Sequence, residues 1–379
     1  MARTQKYAQY DLGDLLGFTE ITKIKDSQIW KHMVIPSIAN ELGPVRQVVG
    51  PLVIEHSRPL FAGDEIDRVT NLNNHKLYGG KSGYIRNPYV ATVYHTEKGA
   101  LCIKRDGVKL EVFAFHGDVV LDAPANLVKP KAKPLVGGKA ELIYKIGLRD
   151  RRYDGTKKAN DCSLMEYPYD DYRLNKPLPN RVKSLEVSTY NFKVGTKLGI
   201  TSGGNKFRQF IEQPYAFVDN PEKFLEYFWK VWTTTVCPGQ VGESYPDMAR
   251  YIAPNLEALA RKAKYDFLEG GASYYHVMLW MKNIGYRIRY SEHSQIVDKL
   301  RHFFKTASFE GKPLTRSQQS WVCVLQSLPR QYIPDELFVE GAVWPQTCLD
   351  HDQTNIWGFK PLHEKAIDKL KLIEQESLD

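Results

Sequence analysis

No apolar run in the 379-residue sequence approaches the roughly 18 to 20 residues that a membrane-crossing helix needs; the longest, Tyr274 to Met281, is far shorter. Behind Met1-Ala2-Arg3-Thr4-Gln5-Lys6-Tyr7 there is no apolar stretch of signal type, so export by that route is not expected. Cysteine is scarce. The five residues Cys102, Cys162, Cys237, Cys323 and Cys348 are odd in number, scattered and without a Cys-x-x-Cys pair. That pattern argues against a disulfide framework and a structural zinc site, and for buried thiols in a reducing, cytoplasmic setting.

Motif chemistry is equally thin. Gly79-Gly80, Gly137-Gly138, Gly203-Gly204 and Gly270-Gly271 have neither the Walker lysine spacing nor the dinucleotide fingerprint, and read as turns. His293 and His302 stand too far apart for a two-histidine metal face at i and i+4. Cys348, Asp350, His351 and Asp352 are metal-type ligands, but close neighbours in sequence rarely converge on one ion, so a solvated loop is the expectation. Asp170-Asp171 and Asp335-Glu336 read as exposed turns. No Gly-x-Ser-x-Gly elbow occurs, nor any internal repeat. No metal, cofactor or catalytic residue set is therefore expected.

What the chain does have is an ordinary globular composition, 42% hydrophobic and 25% charged, and a length too great for one compact core. Its net charge of +8 is unevenly placed. Residues 1–128 carry +1 and residues 209–379 carry −3, whereas residues 129–208 carry +10. These composition shifts suggest three regions: 1–128, mixed, with short helices and then antiparallel sheet; 129–208, a basic, aromatic-containing segment of loops and strands; and 209–379, helical. The fold class expected is α+β, with a sheet-rich N-terminal half and a mostly helical C-terminal half.

Local patterns fill in that outline. Ile29, Trp30, Met33, Val34 and Ile38 have helical spacing, interrupted by Pro36. Strand-like runs follow at 45–54, 89–94, 100–104, 108–115 and 184–194. Asn220 followed by Pro221 predicts a helix start, as does Thr315 with Gln318 three residues on. Further helices are expected near 255–268 and 293–306, and an amphipathic segment over 362–374. The aromatic residues Tyr227, Phe228, Trp229 and Trp232, with Tyr274, Tyr275 and Trp280, suggest core packing or a surface for self-association.

The basic segment carries the functional expectation. Lys131, Lys133, Arg149, Arg151, Arg152, Lys157 and Lys158 can neutralise phosphates, and Tyr153 and Tyr190 can stack on unpaired bases. The competing account is a solvated linker whose lysines keep it hydrated. The leading reading is a non-enzymatic protein that binds nucleic acid, single-stranded rather than duplex, with a repeating subunit of a nucleoprotein assembly as one form of it; a self-assembling shell protein is the alternative.

One enzymatic reading competes. Lys104-Arg105-Asp106-Gly107, Glu340-Gly341 and Trp357-Gly358-Phe359-Lys360 together resemble the nucleophile, Glu-Gly and lysine elements of the covalent nucleotidyltransferases, the nucleic-acid ligases and capping enzymes. The resemblance implies Lys104 as a nucleophile toward a nucleotide α-phosphate. The last element has one lysine where the family has two. Asp106-Gly107 between two strand-like runs is also what a tight β-hairpin turn requires, and this is the favoured reading.

Overall fold

The computed structural model describes residues 20–54, 57–59, 84–86, 89–105, 109–117, 119–120, 133–134, 140–150, 183–191, 193–196, 204–240, 242–245, 248–345 and 356–369. The protein is α+β, with strands dominating its N-terminal half and helices its C-terminal half. Among the described residues the elements begin with a 3-10 turn (Glu20–Lys23), followed by helix α1 (Asp26–Ile29), a π-turn (Trp30–Val34) and α2 (Ala39–Leu42). Strands β1 (Val45–Ile54), β2 (Ser57–Pro59), β3 (Tyr84–Arg86), β4 (Tyr89–Thr96), β5 (Gly99–Arg105) and β6 (Lys109–Gly117) follow. Next come β7 (Val119–Val120), β8 (Lys133–Pro134), β9 (Ala140–Asp150) and β10 (Ser184–Asn191). The helices α3 (Gly204–Glu212), α4 (Pro221–Trp232) and α5 (Met248–Lys262) precede β11 (Phe267–Ala272). The chain then runs through α6 (Tyr275–Asn283), β12 (Arg287–Ile288), α7 (Ser291–Phe303), β13 (Ser308–Phe309), β14 (Lys312–Pro313), α8 (Arg316–Leu325) and β15 (Ile356–Pro361).

Two compact units divide this chain. Unit 1 gathers residues 1–194, 244–269 and 361–379; unit 2 gathers 195–243 and 270–360. The sheet of unit 1 runs β1-β4-β5-β6-β9-β10 in antiparallel pairs, and Ser184–Glu186 of β10 then pair in parallel with Phe267–Glu269 of β11. One face of this sheet buries Leu101, Ile103, Leu110, Val112, Ala114, Ile146 and Leu148. Ile21, Ile24, Ile29, Met33, Val34 and Ile38 of the N-terminal segment are buried with them, and cross-links tie this segment to the strands. Tyr144 OH donates to the Met33 carbonyl at 2.7 Å, Tyr94 OH donates to Asp26 at 2.9 Å, and Arg105 ion-pairs with Asp26. At the start of this segment Glu20 meets both Lys23 and Lys183. Burial alone would raise its carboxyl, but hydrogen bonds from Lys183 and Lys23 outweigh that and hold it at about 2.

The expected strands at 45–54, 89–94, 100–104, 108–115 and 184–194 all form, with ends moved by a few residues. Arg105 of β5 pairs antiparallel with Leu110 of β6, and the expected turn residues Asp106 and Gly107 lie outside the described residues. The helix expected near 255–268 differs in position: it starts at Met248, carries Pro254 inside, and ends at Lys262. Asn255 lies within it, and its side-chain amide donates to the Tyr251 carbonyl one turn back at 2.8 Å.

Unit 2 is helical and aromatic. Asn220 caps α4 by accepting the Lys223 N–H at 3.1 Å, with Pro221 in the first turn. Thr315 and Gln318 close a reciprocal capping box on α8. Trp321 of α8 is fully buried, stacks on Phe210 of α3 with ring centroids 5.2 Å apart, and donates from Nε1 to the Val236 carbonyl at 2.8 Å. Tyr227, Phe228 and Trp232 join this core, while Trp229 stays 39% exposed. Gly239 adopts φ +76°, and a Cβ there would sit 2.2 Å from the Tyr274 ring, so this position requires glycine. A second cluster packs Tyr275, Met278, Met281, Val297, Leu300 and Trp344.

His276 of α6 stacks near Tyr274, and its Nδ1 is buried without a hydrogen-bond partner among the described residues. Burial, and next the charge of Arg316, push its imidazole down to about 4. The unfolded chain therefore takes up a proton between pH 6.5 and 4 that the folded chain refuses, so the contribution to stability is complete above 6.5 and lost as pH falls through that window. We expect the melting temperature to drop over this range in the parent, and to drop less in a His276→Gln variant measured in parallel.

Candidate nucleic-acid interface

Strand register decides which of the sequence-selected cations share a surface. Lys104 pairs with Glu111, Glu111 with Gly147, and Gly147 with Ser188. One row away Lys109, Arg149 and Glu186 line up, and on the other side Phe113, Lys145 and Tyr190. Because partners across a ladder and residues two apart along a strand lie on the same side of a sheet, these positions form one face, opposite the face covered by the N-terminal helices. The face is apolar at one end, where Ala91, Val93, Ala100, Cys102, Phe113 and Phe115 are buried together, and charged at the other. Burial pushes the Cys102 thiol up to about 12, so it is an inert core group rather than a nucleophile.

The charged end is partly compensated. Arg149 Nε lies 3.2 Å from Glu186, Lys145 3.6 Å from Glu111, and Lys104 3.9 Å from the same Glu111. Lys145 also sits 5.4 Å from the Phe113 ring centroid. Among these described side chains three cations face two carboxylates, a net excess of one. Lys104 is therefore a half-buried ladder residue paired with a carboxylate. In the other elements of the enzymatic resemblance, Glu340-Gly341 lies in a turn of unit 2 and Trp357 to Lys360 in β15, with Lys360 Nζ donating to the Ile284 carbonyl.

Of the residues singled out from sequence, the structure brings Arg149 and Tyr190 onto the β9–β10 ladder, and Lys133 onto β8, which pairs with β7. Lys131, Arg151, Arg152, Tyr153, Lys157 and Lys158 lie outside the described residues, as does the Cys348 to Asp352 cluster. Among the described residues no group of histidine, cysteine and carboxylate side chains converges as a metal site, and no helix is long and apolar enough to cross a membrane.

A second constellation in unit 1 had no signature in the sequence. Asp266, only 4% exposed, accepts the Lys183 backbone N–H on Oδ2 at 2.8 Å. Its Oδ1 meets both Lys369 Nζ and His363 Nε2, each at 2.8 Å. Next to it Tyr265 OH donates to the buried Asp150 at 2.8 Å. These residues come from four separated stretches of chain, so only the fold assembles them. Comparison of the chain with family models, with curated proteins and with solved structures returns no match.

Proposed function

We propose that the protein binds single-stranded nucleic acid, without itself catalysing a reaction, through the cations of residues 129–208. The observation that supports this reading is the concentration of the chain's positive excess, +10, in that one segment. Two strands of the segment, β9 and β10, bring Lys145 and Arg149 and the Tyr190 position to one sheet face beside Lys104. Phosphate neutralisation supplies affinity that falls steeply with salt, and aromatic stacking tolerates any base sequence. Arg149 is spoken for by Glu186, so in this reading it holds β9 to β10, and the unpaired charge comes from elsewhere in the segment.

Fluorescence anisotropy with labelled single-stranded and duplex oligonucleotides at two salt concentrations tests this. Neutralising Lys157 and Lys158 to glutamine together is expected to reduce the salt slope by about 1.4 and affinity by about tenfold. Parent-like affinity and slope in that variant, or absence of binding by the parent at low salt, would remove the proposal.

A further inference from the structure

We infer that unit 1 carries a binding site for the phosphate monoester of a small organic molecule, separate from the nucleic-acid surface and not dependent on it. A cavity of about 450 Å³, within the size range of small-molecule sites, opens beside Asp266. Its buried floor is apolar, Leu362 and the Tyr265 ring. Its walls hold Arg261, Lys264, His363 and Lys369, and Asp266 is the one carboxylate among the lining residues.

That carboxylate is already fully engaged. It anchors the Lys183 backbone and holds Lys369 and the Nε2 side of His363, leaving Nδ1 as the ring's other polar atom. Asp266 thus orients two donors at the cost of one negative charge. Arg261, itself half-exposed, has a loose partner in Glu257 at 3.8 Å, and Lys264 makes no ion pair among the described residues. Arg261, Lys264 and Lys369 against Asp266 in the lining and Glu257 beside it leave an excess of one positive charge, carried by three donors around one cavity. This suits a phosphate group, and the apolar floor suits the group esterified to it.

Lys264 supplies the second observation. Helix α5 ends in a Schellman motif: the Lys264 N–H bonds the Arg261 carbonyl and the Tyr265 N–H bonds the Ala260 carbonyl, each at 3.0 Å. The position after the cap needs a left-handed backbone, and Lys264 adopts φ +62°. Glycine is the residue that fills this position without steric cost. Here the chain places a lysine in it, on the wall of a cavity that already holds Arg261 and Lys369. Sites where local preference is broken without a packing reason are where function is expected to be found.

The test is isothermal titration calorimetry of the full chain at low ionic strength with inorganic phosphate and with phenyl phosphate, comparing the parent with Lys264→Gly and Arg261→Gln. Phenyl phosphate is expected to bind more tightly than inorganic phosphate, and each substitution to weaken it about tenfold, the equivalent of one charge-assisted hydrogen bond. Lys264→Gly is expected to leave the melting temperature unchanged or raise it by about 1–3 °C, which separates lost binding from lost folding. Neutralising Lys157 and Lys158 should leave both titrations as in the parent. Equal affinity in parent and pocket variants, no heat from either probe, or an equal loss in the Lys157/Lys158 variant would each overturn the site. None of these results bears on oligonucleotide binding.

Discussion

Replacing Trp321 with alanine is expected to destabilise unit 2 by about 3–5 kcal/mol, the range for deleting a fully buried large aromatic side chain. Trp321 stacks on Phe210 and fills the space between α3 and α8, and Phe210 in turn packs on Phe224 and Tyr227. Alanine would leave a cavity in the middle of that aromatic chain. The indole N–H adds a smaller term, because the Val236 carbonyl that accepts it also accepts the Ser317 hydroxyl at 2.6 Å. Trp321→Phe, which keeps most of the packing and loses only the N–H, should therefore cost about 1–2 kcal/mol. Urea denaturation of the full chain, with amide exchange read on α4 and α8, measures both. An alanine variant as stable as the phenylalanine one would show that the core closes around the gap.

Gln326→Leu should cost about 3 kcal/mol despite its nearly unchanged volume. Gln326 is 3% exposed and acts as a clip between the end of α8 and the segment that follows it. Its side-chain N–H groups donate to the Val322 and Leu337 carbonyls, both at 2.9 Å, and its Oε1 accepts the Val339 N–H at 2.8 Å. Leucine would fit the space and leave the Leu337 carbonyl and Val339 N–H without partners; each buried, unpaired polar group costs about 1–3 kcal/mol. The loss should be local. Hydrogen exchange at Val339 is expected to accelerate well before the rest of unit 2 responds, and unchanged protection there would count against the clip.

What could be read ahead of the structure was what short-range chemistry controls. Asn220-Pro221 and Thr315-x-x-Gln318 each solve the unpaired N–H problem of a helix start within four residues, so their caps were visible in sequence. The strands β4, β5 and β6 are joined by short connections and alternate or cluster apolar residues, so they too were visible. Strand β9 was not, because it lies in the basic segment, whose cations suggest phosphate contacts or a solvated linker until Glu111 and Glu186 on the neighbouring strands are seen beside Lys145 and Arg149. The start of α5 was masked by Pro254, a residue that usually marks a boundary and here sits in the helix interior. The cluster around Asp266 was invisible for a different reason: Lys183, Asp266 and His363 are brought together only once a parallel strand pair forms, and no spacing rule reaches across such distances.

The discontinuous make-up of unit 1 sets an order of events at the ribosome. Most of its sheet can pair as soon as β10 emerges, but β11 arrives only after the first stretch of unit 2, residues 195–243, and Leu362, His363 and Lys369 come after all of unit 2. The nascent chain must therefore hold an unfinished sheet edge at β10 while that first stretch of unit 2 is being made. The contacts to Asp266 close only after all of unit 2 has been made, so the proposed phosphate pocket comes into being behind a second body.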